Sequence, residues 1–117
     1  MKSMNLTIAG WIATEPVMEE TPAGEKALVF KVAYMDETTN MLDARTEWIK
    51  VRVFGPGAEY GQESLRKGQP VVVCGRIYTK SPDNAPAGYI AGLFMDAEAI
   101  GHNIMKGTSK FSRGTHD

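Results

Sequence analysis

Residues 48 to 54, Trp-Ile-Lys-Val-Arg-Val-Phe, place two aromatic rings and two cations at alternate positions of one short segment. In a β-strand, alternate side chains point to opposite faces of the sheet. The residues that share one surface are then Trp48, Lys50, Arg52 and Phe54. Aromatic rings stack on nucleobases and cations bind phosphates, so this surface predicts a binding site for single-stranded nucleic acid.

The alternation in residues 48–54 leaves a second interpretation open. Large aromatic side chains on the outside of a strand also pack in subunit interfaces or beneath loops. Lys50 and Arg52 are then either phosphate contacts or solvated surface charges. The rest of the chain has to distinguish a nucleic-acid surface from a protein contact surface.

Cations and an aromatic residue also alternate in a later apolar segment, where Arg76, Tyr78 and Lys80 share one predicted face. Trp11, opposite aliphatic neighbours on an early strand, can stack on a base or line a subunit contact. Lys31 is either a phosphate contact or an ordinary surface charge. The full set of candidate nucleic-acid-binding residues is Trp11, Lys31, Trp48, Lys50, Arg52, Phe54, Arg76, Tyr78 and Lys80.

The composition is typical of one soluble domain. The chain has 117 residues, of which 43% are hydrophobic and 23% are charged, enough to bury a real core. No apolar run approaches the ~20 residues of a membrane span, and no signal-peptide pattern is evident. The single cysteine, Cys74, rules out an internal disulfide. We therefore expect a cytoplasmic protein with no membrane partner.

The net charge of −1 argues against binding to duplex DNA, because duplex binders usually carry a basic excess. Base stacking contributes about 1–3 kcal/mol per base without any net charge. The charge balance therefore favours a binder of single strands over a binder of duplexes.

The chain offers little support for catalysis. His102 and His116 have no cysteine or carboxylate at metal-ligand spacing. The turn 55–57 lacks the Lys and Ser/Thr that follow a phosphate-binding loop. Glu59 and Glu63 lie four residues apart, which is more typical of a solvated helix face than of an acid/base pair. We therefore expect a protein that is not an enzyme and that has no cofactor and no metal site.

Hydrophobic patterns of period two predict five strands, and one segment predicts a helix. The strands cover residues 6–12, 26–35, 48–54, 70–80 and 89–99, and the helix covers residues 58–66. A short helix between the third and fourth strands is the connectivity of the five-stranded OB barrel, an all-β Greek-key fold. This domain is predicted for residues 1–105, and the polar, glycine-rich residues 106–117 predict a flexible tail.

Several short motifs follow one another along the chain. They are Asn5–Gly10 with Ile12 and Pro16, Thr46–Trp48 with Val53–Gly55, Ala58–Glu59, Leu65–Gly68, and Val71–Ile77. In this order and spacing they resemble the bacterial single-stranded DNA-binding protein family, the SSB family. The resemblance covers roughly residues 5–105 and depends on the order of the motifs, since each motif alone is weak.

The resemblance implies an OB fold, a homotetramer, and sequence-independent binding and protection of single-stranded DNA in replication, recombination and repair. Bases stack on aromatic residues in this family, and two such positions match here as Trp48 and Phe54. Two other family aromatics fall near Thr38 and at Ser81, where this chain has hydroxyl side chains. We therefore expect weaker binding than in the relatives, or a different path of the DNA.

The end of the chain also departs from the family pattern. Many members finish in an acidic tail with a hydrophobic tip, which recruits replication and repair proteins. This chain ends in residues 113–117, Arg-Gly-Thr-His-Asp, after Lys106 and Lys110. It is either truncated or a short paralogous form, so the recruitment of such partners is left open.

Two other functions fit the same pattern of residues. One is an OB-fold assembly or accessory subunit, of the replication-restart type, whose aromatic face contacts protein. The other is a binder of single-stranded RNA, which differs only in recognition of the 2′-hydroxyl group.

Overall fold

The computed structural model describes residues 4–36, 45–79 and 92–115. These ranges contain β1 (Met4–Ile12), β2 (Val17–Glu20), β3 (Lys26–Asp36), β4 (Arg45–Val53), α1 (Pro56–Ser64), β5 (Pro70–Thr79) and β6 (Leu93–His102). The strands form one sheet in the order β1-β5-β6-β4-β3-β2, and an additional pairing of β1 with β3 closes it into a barrel. The predicted all-β barrel, with five strands and one helix before β5, is confirmed.

A sixth strand, β2, was not predicted from the sequence. Its four residues show no alternation of buried and exposed side chains, so the pattern gave no signal. The strand forms because the turn between Thr21 and Glu25, held by a hydrogen bond from the Thr21 N–H to the Glu25 carbonyl (2.7 Å), folds it back on β3. Val17 pairs with Val29 in this hairpin. The strand adds to the edge of β3 and lies outside the barrel.

Some predicted boundaries are shifted by a few residues. The third barrel strand ends at Val53, so Phe54 follows it instead of belonging to it. The helix begins at Pro56, because proline is favoured in the first turn, where its missing N–H costs nothing. It ends at Ser64, since Leu65 is extended. The last strand covers residues 93–102 instead of 89–99.

Alternate residues of the barrel strands enclose the core. Ile49, Val51 and Val53 of β4 are at most 8% exposed, as their alternation predicts. The largest fully buried side chains of the other strands are Phe30, Ile12, Leu28 and Met95. The helix packs against β2, β3 and β4, and Ala58 and Leu65 join the buried cluster. The opposite side chains of the same strands therefore remain on the outer surface of the barrel.

The C-terminal segment after β6 has no helix or strand among its described residues 103–115. The ring of His102 contacts this segment at Ser109, with Nδ1 2.7 Å from the hydroxyl oxygen. Residues 110–115 lie beside α1 and β6, where Gly114 approaches Tyr60. The flexibility expected for residues 106–117 stays a prediction.

The barrel closes at Gly10, which lies within β1. Around this residue β1 pairs with β5, and at Trp11 and Ile12 it also pairs with β3. A Cβ atom at Gly10 would overlap the carbonyl oxygen of Ala33 and press on the side chain of Val32. The absence of a side chain therefore allows the two strands to approach.

We predict that Gly10→Ala destabilises the fold by about 1–3 kcal/mol, because the added methyl group overpacks the closure. Urea denaturation of the two proteins measures this difference. The control is Gly101→Ala in β6, where a Cβ atom meets nothing within 4 Å. Equal effects of the two substitutions would show that the closure does not depend on Gly10.

Candidate nucleic-acid interface

The strand register arranges the predicted side chains in three rows on the outer face of the barrel. The first, the tryptophan row, contains Trp11, Ala33 and Trp48, because Ala33 of β3 pairs with Trp11 on one side and Trp48 on the other. Trp11 is 43% exposed and Trp48 is 54% exposed. Directly paired residues project from the same side of a sheet. The two tryptophans therefore flank a small residue on one solvent-facing surface.

The second row, the lysine row, contains Lys31, Lys50, Phe94 and Tyr78, which are neighbours across β3, β4, β6 and β5. Lys31 and Lys50 stand directly opposite each other. Neither forms an ion pair with any residue in the described part of the chain. The rings of Tyr78 and Phe94 stack with centroids 5.8 Å apart and planes 18° apart. The row thus joins two cations to an aromatic pair.

The third row, the ion-pair row, contains Val29, Arg52, Asp96 and Arg76. Arg52 donates from Nε to Asp96 Oδ1 (2.9 Å) and from Nη2 to Asp96 Oδ2 (3.2 Å). Nη2 also donates to the Tyr78 hydroxyl oxygen (2.7 Å). Arg76 lies further from the same carboxylate, with Nη2 3.4 Å from Oδ2. Asp96 therefore holds Arg52 firmly and Arg76 weakly.

Phe54 joins this arrangement from just beyond the end of β4. The Arg52 guanidinium carbon lies 5.1 Å from the centroid of the Phe54 ring and 5.9 Å from that of Tyr78. Both distances are within the range of cation–π attraction. Arg52 therefore connects Phe54 to the stacked pair of Tyr78 and Phe94.

The ionisation of the central groups follows from these contacts. Partial burial raises the pKa of Asp96, but the hydrogen bond and charge of Arg52, with Tyr78 and Arg76, outweigh it and lower the pKa below its ordinary value. Hydrogen bonding to Asp96 raises the pKa of Arg52. Burial, and then the charge of Asp96, raise the pKa of Tyr78. At neutral pH the site therefore holds a carboxylate, a guanidinium and a neutral phenol.

Beside the ion-pair row lies a small recess of about 150 Å³. Its walls include Lys50, Arg52 and Phe94, with Val29 between them and the β2–β3 hairpin. Glu19 and Glu20 lie on the hairpin side. Arg52 therefore faces both a cation and acidic residues across this recess.

The outer face contains most of the residues that the sequence predicted. The described members of the predicted set, Trp11, Lys31, Trp48, Lys50, Arg52, Phe54, Arg76 and Tyr78, lie in or beside the three rows. Lys80, Thr38 and Ser81 lie outside the described residues. Arg52 differs from the expected free cation, because Asp96 already binds it.

Phe94 and Asp96 belong to the face but were missed. Their signal was present in Leu93-Phe-Met-Asp96, where Met95 is buried and its neighbours point outward. The same alternation that singled out residues 48–54 would have found them.

A closed barrel with an aromatic and cationic outer face defines this protein as an OB-fold binding protein. The chain belongs to the single-strand binding protein family, whose family model matches residues 4–89. This confirms the resemblance found from the motifs.

Curated relatives and solved structures agree with this assignment. The single-stranded DNA-binding protein 2 of Tropheryma whipplei (strain Twist) is 33% identical over 96% of this chain and 77% of its own length. That of Streptomyces avermitilis is 31% identical over 97% of this chain and 73% of its own. The crystal structure of a small single-stranded DNA-binding protein from Streptomyces coelicolor superimposes with a TM-score of 0.72 and 26% identity, covering 92% of this chain and all of that one. Those names agree with the predicted class of function.

A second solved structure supports the fold alone. The second single-stranded DNA-binding protein of Mycobacterium smegmatis has a TM-score of 0.72 and 23% identity, covering 96% of this chain and 100% of that one. The OB fold predicted from the element order is therefore confirmed.

The described residues contain no cluster of metal ligands and no helix that could span a membrane. Within residues 4–36, 45–79 and 92–115, no three His, Cys, Asp or Glu side chains lie together as a metal site would require. The helix in the same ranges is too short and polar to cross a membrane. The expected cytoplasmic location stays a prediction.

We predict that Asp96 gives the protein a pH-dependent part of its stability. Because its pKa is lowered in the folded state, this part is present above the unfolded pKa, about 4, and is lost as the pH falls through the lowered value. Asp96→Asn should lower the free energy of unfolding by about 1 kcal/mol at pH 7. The difference between the two proteins should shrink below pH of about 4.

Denaturation midpoints between pH 7 and pH 2.5 measure this effect. The control is Glu98→Gln, which changes an exposed carboxyl group on the same strand and should leave stability at pH 7 unchanged. The prediction would be contradicted if the difference in stability between the Asp96 variant and the parent were the same at every pH.

Proposed function

We propose that this chain binds and protects single-stranded DNA without sequence preference, on the outer face formed by the three rows, in replication, recombination and repair. Bases stack on Trp48, Phe54 and the Tyr78–Phe94 pair, and phosphates bind near Lys31 and Lys50. The membership of the single-strand binding protein family supports this function. The observation that carries it is the position of the two lysines between the aromatic groups.

The pairing of Lys31 with Lys50 indicates what kind of ligand this face binds. Like charges directly opposite each other on paired strands destabilise a sheet. No carboxylate among the described residues forms an ion pair with either of them, so no ion pair relieves the repulsion within that part of the chain. A phosphate placed between the two ammonium groups would relieve it. The arrangement therefore favours an anionic ligand.

The charge of the face differs from that of the whole chain. The three rows carry Lys31, Lys50, Arg52 and Arg76 against a single carboxylate, Asp96, whereas the net charge of the chain is −1. The three rows therefore carry a positive excess that the whole chain lacks, and Glu19 and Glu20 lie beside Lys50 and Arg52 in the recess. Affinity for DNA should fall as salt rises, with stacking less affected than the ionic contacts.

We infer that the chain acts by binding and not by catalysis. The rows contain aromatic and cationic side chains, and the carboxylate among them, Asp96, is engaged by Arg52 and accepts a hydrogen bond from Tyr78. A carboxylate held ionised in this way is a poor general acid at neutral pH.

We further propose that the protein forms a homotetramer, using the edge of β1. Between Met4 and Gly10 this strand pairs with β5 on one side, while β3 pairs with it only at Trp11 and Ile12. Met4 and Leu6 continue the alternate series of the buried Ile8, yet they are 66% and 39% exposed. An open strand edge with exposed apolar residues favours pairing with a second copy.

We predict that Trp48→Ala weakens binding of oligo(dT) by about 1–3 kcal/mol, the contribution of one stacked base. Fluorescence anisotropy of a labelled oligonucleotide measures the affinity. In a Trp11→Phe background, the remaining fluorescence of Trp48 should be quenched as the oligonucleotide is added. The control is Met105→Ala, which removes an apolar side chain that is 87% exposed and lies outside the three rows.

Two outcomes would contradict DNA binding at this face. The first is no quenching at low salt together with an unchanged mobility of the oligonucleotide on a gel. The second is a Trp48→Ala variant whose oligomer dissociates while its affinity for oligo(dT) is unchanged. That result would support the alternative in which Trp48 contacts protein. Competition of poly(U) against poly(dT) tests the RNA alternative.

We predict that Leu6→Glu disrupts the oligomer, because it places a charge on the proposed β1 edge. Light scattering should give the mass of a tetramer for the parent and a smaller mass for the variant. The control, Val17→Glu, changes an apolar residue of β2 that is 53% exposed and pairs with β3. A parent protein that is a monomer would overturn the proposal.

A further inference from the structure

Arg52 is the cation on the outer face that a carboxylate of another strand holds in a two-pronged contact. Nε and Nη2 both donate to Asp96, and Nη2 also donates to Tyr78. Paired donors of this kind fix the guanidinium plane relative to the carboxylate. The two N–H groups of Nη1 have no hydrogen-bond partner among the described residues. The guanidinium of Arg52 is therefore held in one orientation and still has N–H donors available.

Phosphate is a poor ligand for Arg52 in this setting. A phosphate oxygen at the guanidinium would lie beside the Asp96 carboxylate, and like charges at such distances repel. Glu19 and Glu20 line the recess that Arg52 faces and add to the repulsion. Lys50 lines the same recess, but neither it nor Lys31 has an ion-paired carboxylate within the described ranges, whereas Arg52 has Asp96.

A nucleobase suits the same place better. It carries no charge, and its flat face can lie against a guanidinium plane as it does against an aromatic ring. The guanidinium carbon lies within 6 Å of the ring centroids of both Phe54 and Tyr78, so Arg52 extends the surface that these rings offer. Nη1 can donate to a carbonyl oxygen on a base edge.

We propose that Asp96 is a positioning residue that makes Arg52 a base contact, in place of the phosphate contact predicted from the sequence. The phosphates lie at Lys31 and Lys50 instead, and Lys50 is two residues, or about 7 Å, from Arg52 along β4. On the Arg52 side of the lysines, the bases therefore lie toward Arg52, Phe54 and Tyr78, and the backbone lies toward Lys31 and Lys50. This inference rests on the proposed binding of single-stranded DNA.

The test is the salt dependence of oligo(dT) affinity, measured by anisotropy on the full chain. Each phosphate contact contributes about 0.7 to the slope of log K against log salt for single strands. Lys50→Gln should reduce the slope by about 0.7. Arg52→Gln, the matched neutral variant, should weaken binding about fivefold at every salt concentration with the slope unchanged.

Arg52→Lys distinguishes a phosphate contact from a base contact without removing the positive charge. A phosphate contact tolerates lysine, whereas a planar stacking contact does not. We expect Arg52→Lys to lose about as much affinity as Arg52→Gln. Near-parent affinity of the lysine variant would overturn the inference, and this readout holds even if Arg52→Gln does not fold.

Asp96→Asn tests the positioning role itself. With the carboxylate gone, Arg52 can reach a phosphate, so the slope should steepen by up to about 0.7, and Asp96→Glu should restore the parent slope. An unchanged slope in Asp96→Asn would overturn the role of Asp96.

If the parent does not bind oligo(dT) at all, the proposed function fails. If the parent binds and Arg52→Gln flattens the slope as Lys50→Gln does, only this inference fails.

Discussion

The closure of the barrel between β1 and β3 is the constraint on which the outer face depends. It involves the pairs Trp11 with Ala33 and Ile12 with Val32, and it forms because Gly10 lets the two backbones approach. Once the sheet is closed, alternate side chains of every strand are sorted into an inside and an outside. The same closure brings Trp11 into register with Trp48. A small, non-local contact therefore decides which aromatic residues share a surface.

Within that surface, the cations divide into two kinds according to their partners. Lys31 and Lys50 face each other without an ion pair to any described residue, so their charge is available to an anion. Arg52 has its charge balanced by Asp96 and is locked among aromatic rings. Similar residues in a sequence thus acquire different chemistry from their neighbours across strands. The number of cations on a strand therefore does not give the number of phosphate contacts.

Most of the fold could be predicted from local patterns. The alternation of β4 and the helix between the third and fourth barrel strands are both visible in the sequence, because strand and helix periods act on neighbouring residues. The strand β2 could not be predicted, since its four residues carry no buried face and form a strand only by pairing with β3. Phe94 was visible in the alternation but went unrecognised.

The sequence by itself determined the in-and-out pattern of residues 48–54 and, through the order of its motifs, the family of the chain. The tertiary structure decided what each outward residue meets. Asp96 lies 44 residues from Arg52, and the two meet only because β4 and β6 pair in parallel. Such a pairing depends on closing the whole barrel, and no local period encodes it. For this reason the sequence could predict the cations of this face but not which of them is already neutralised.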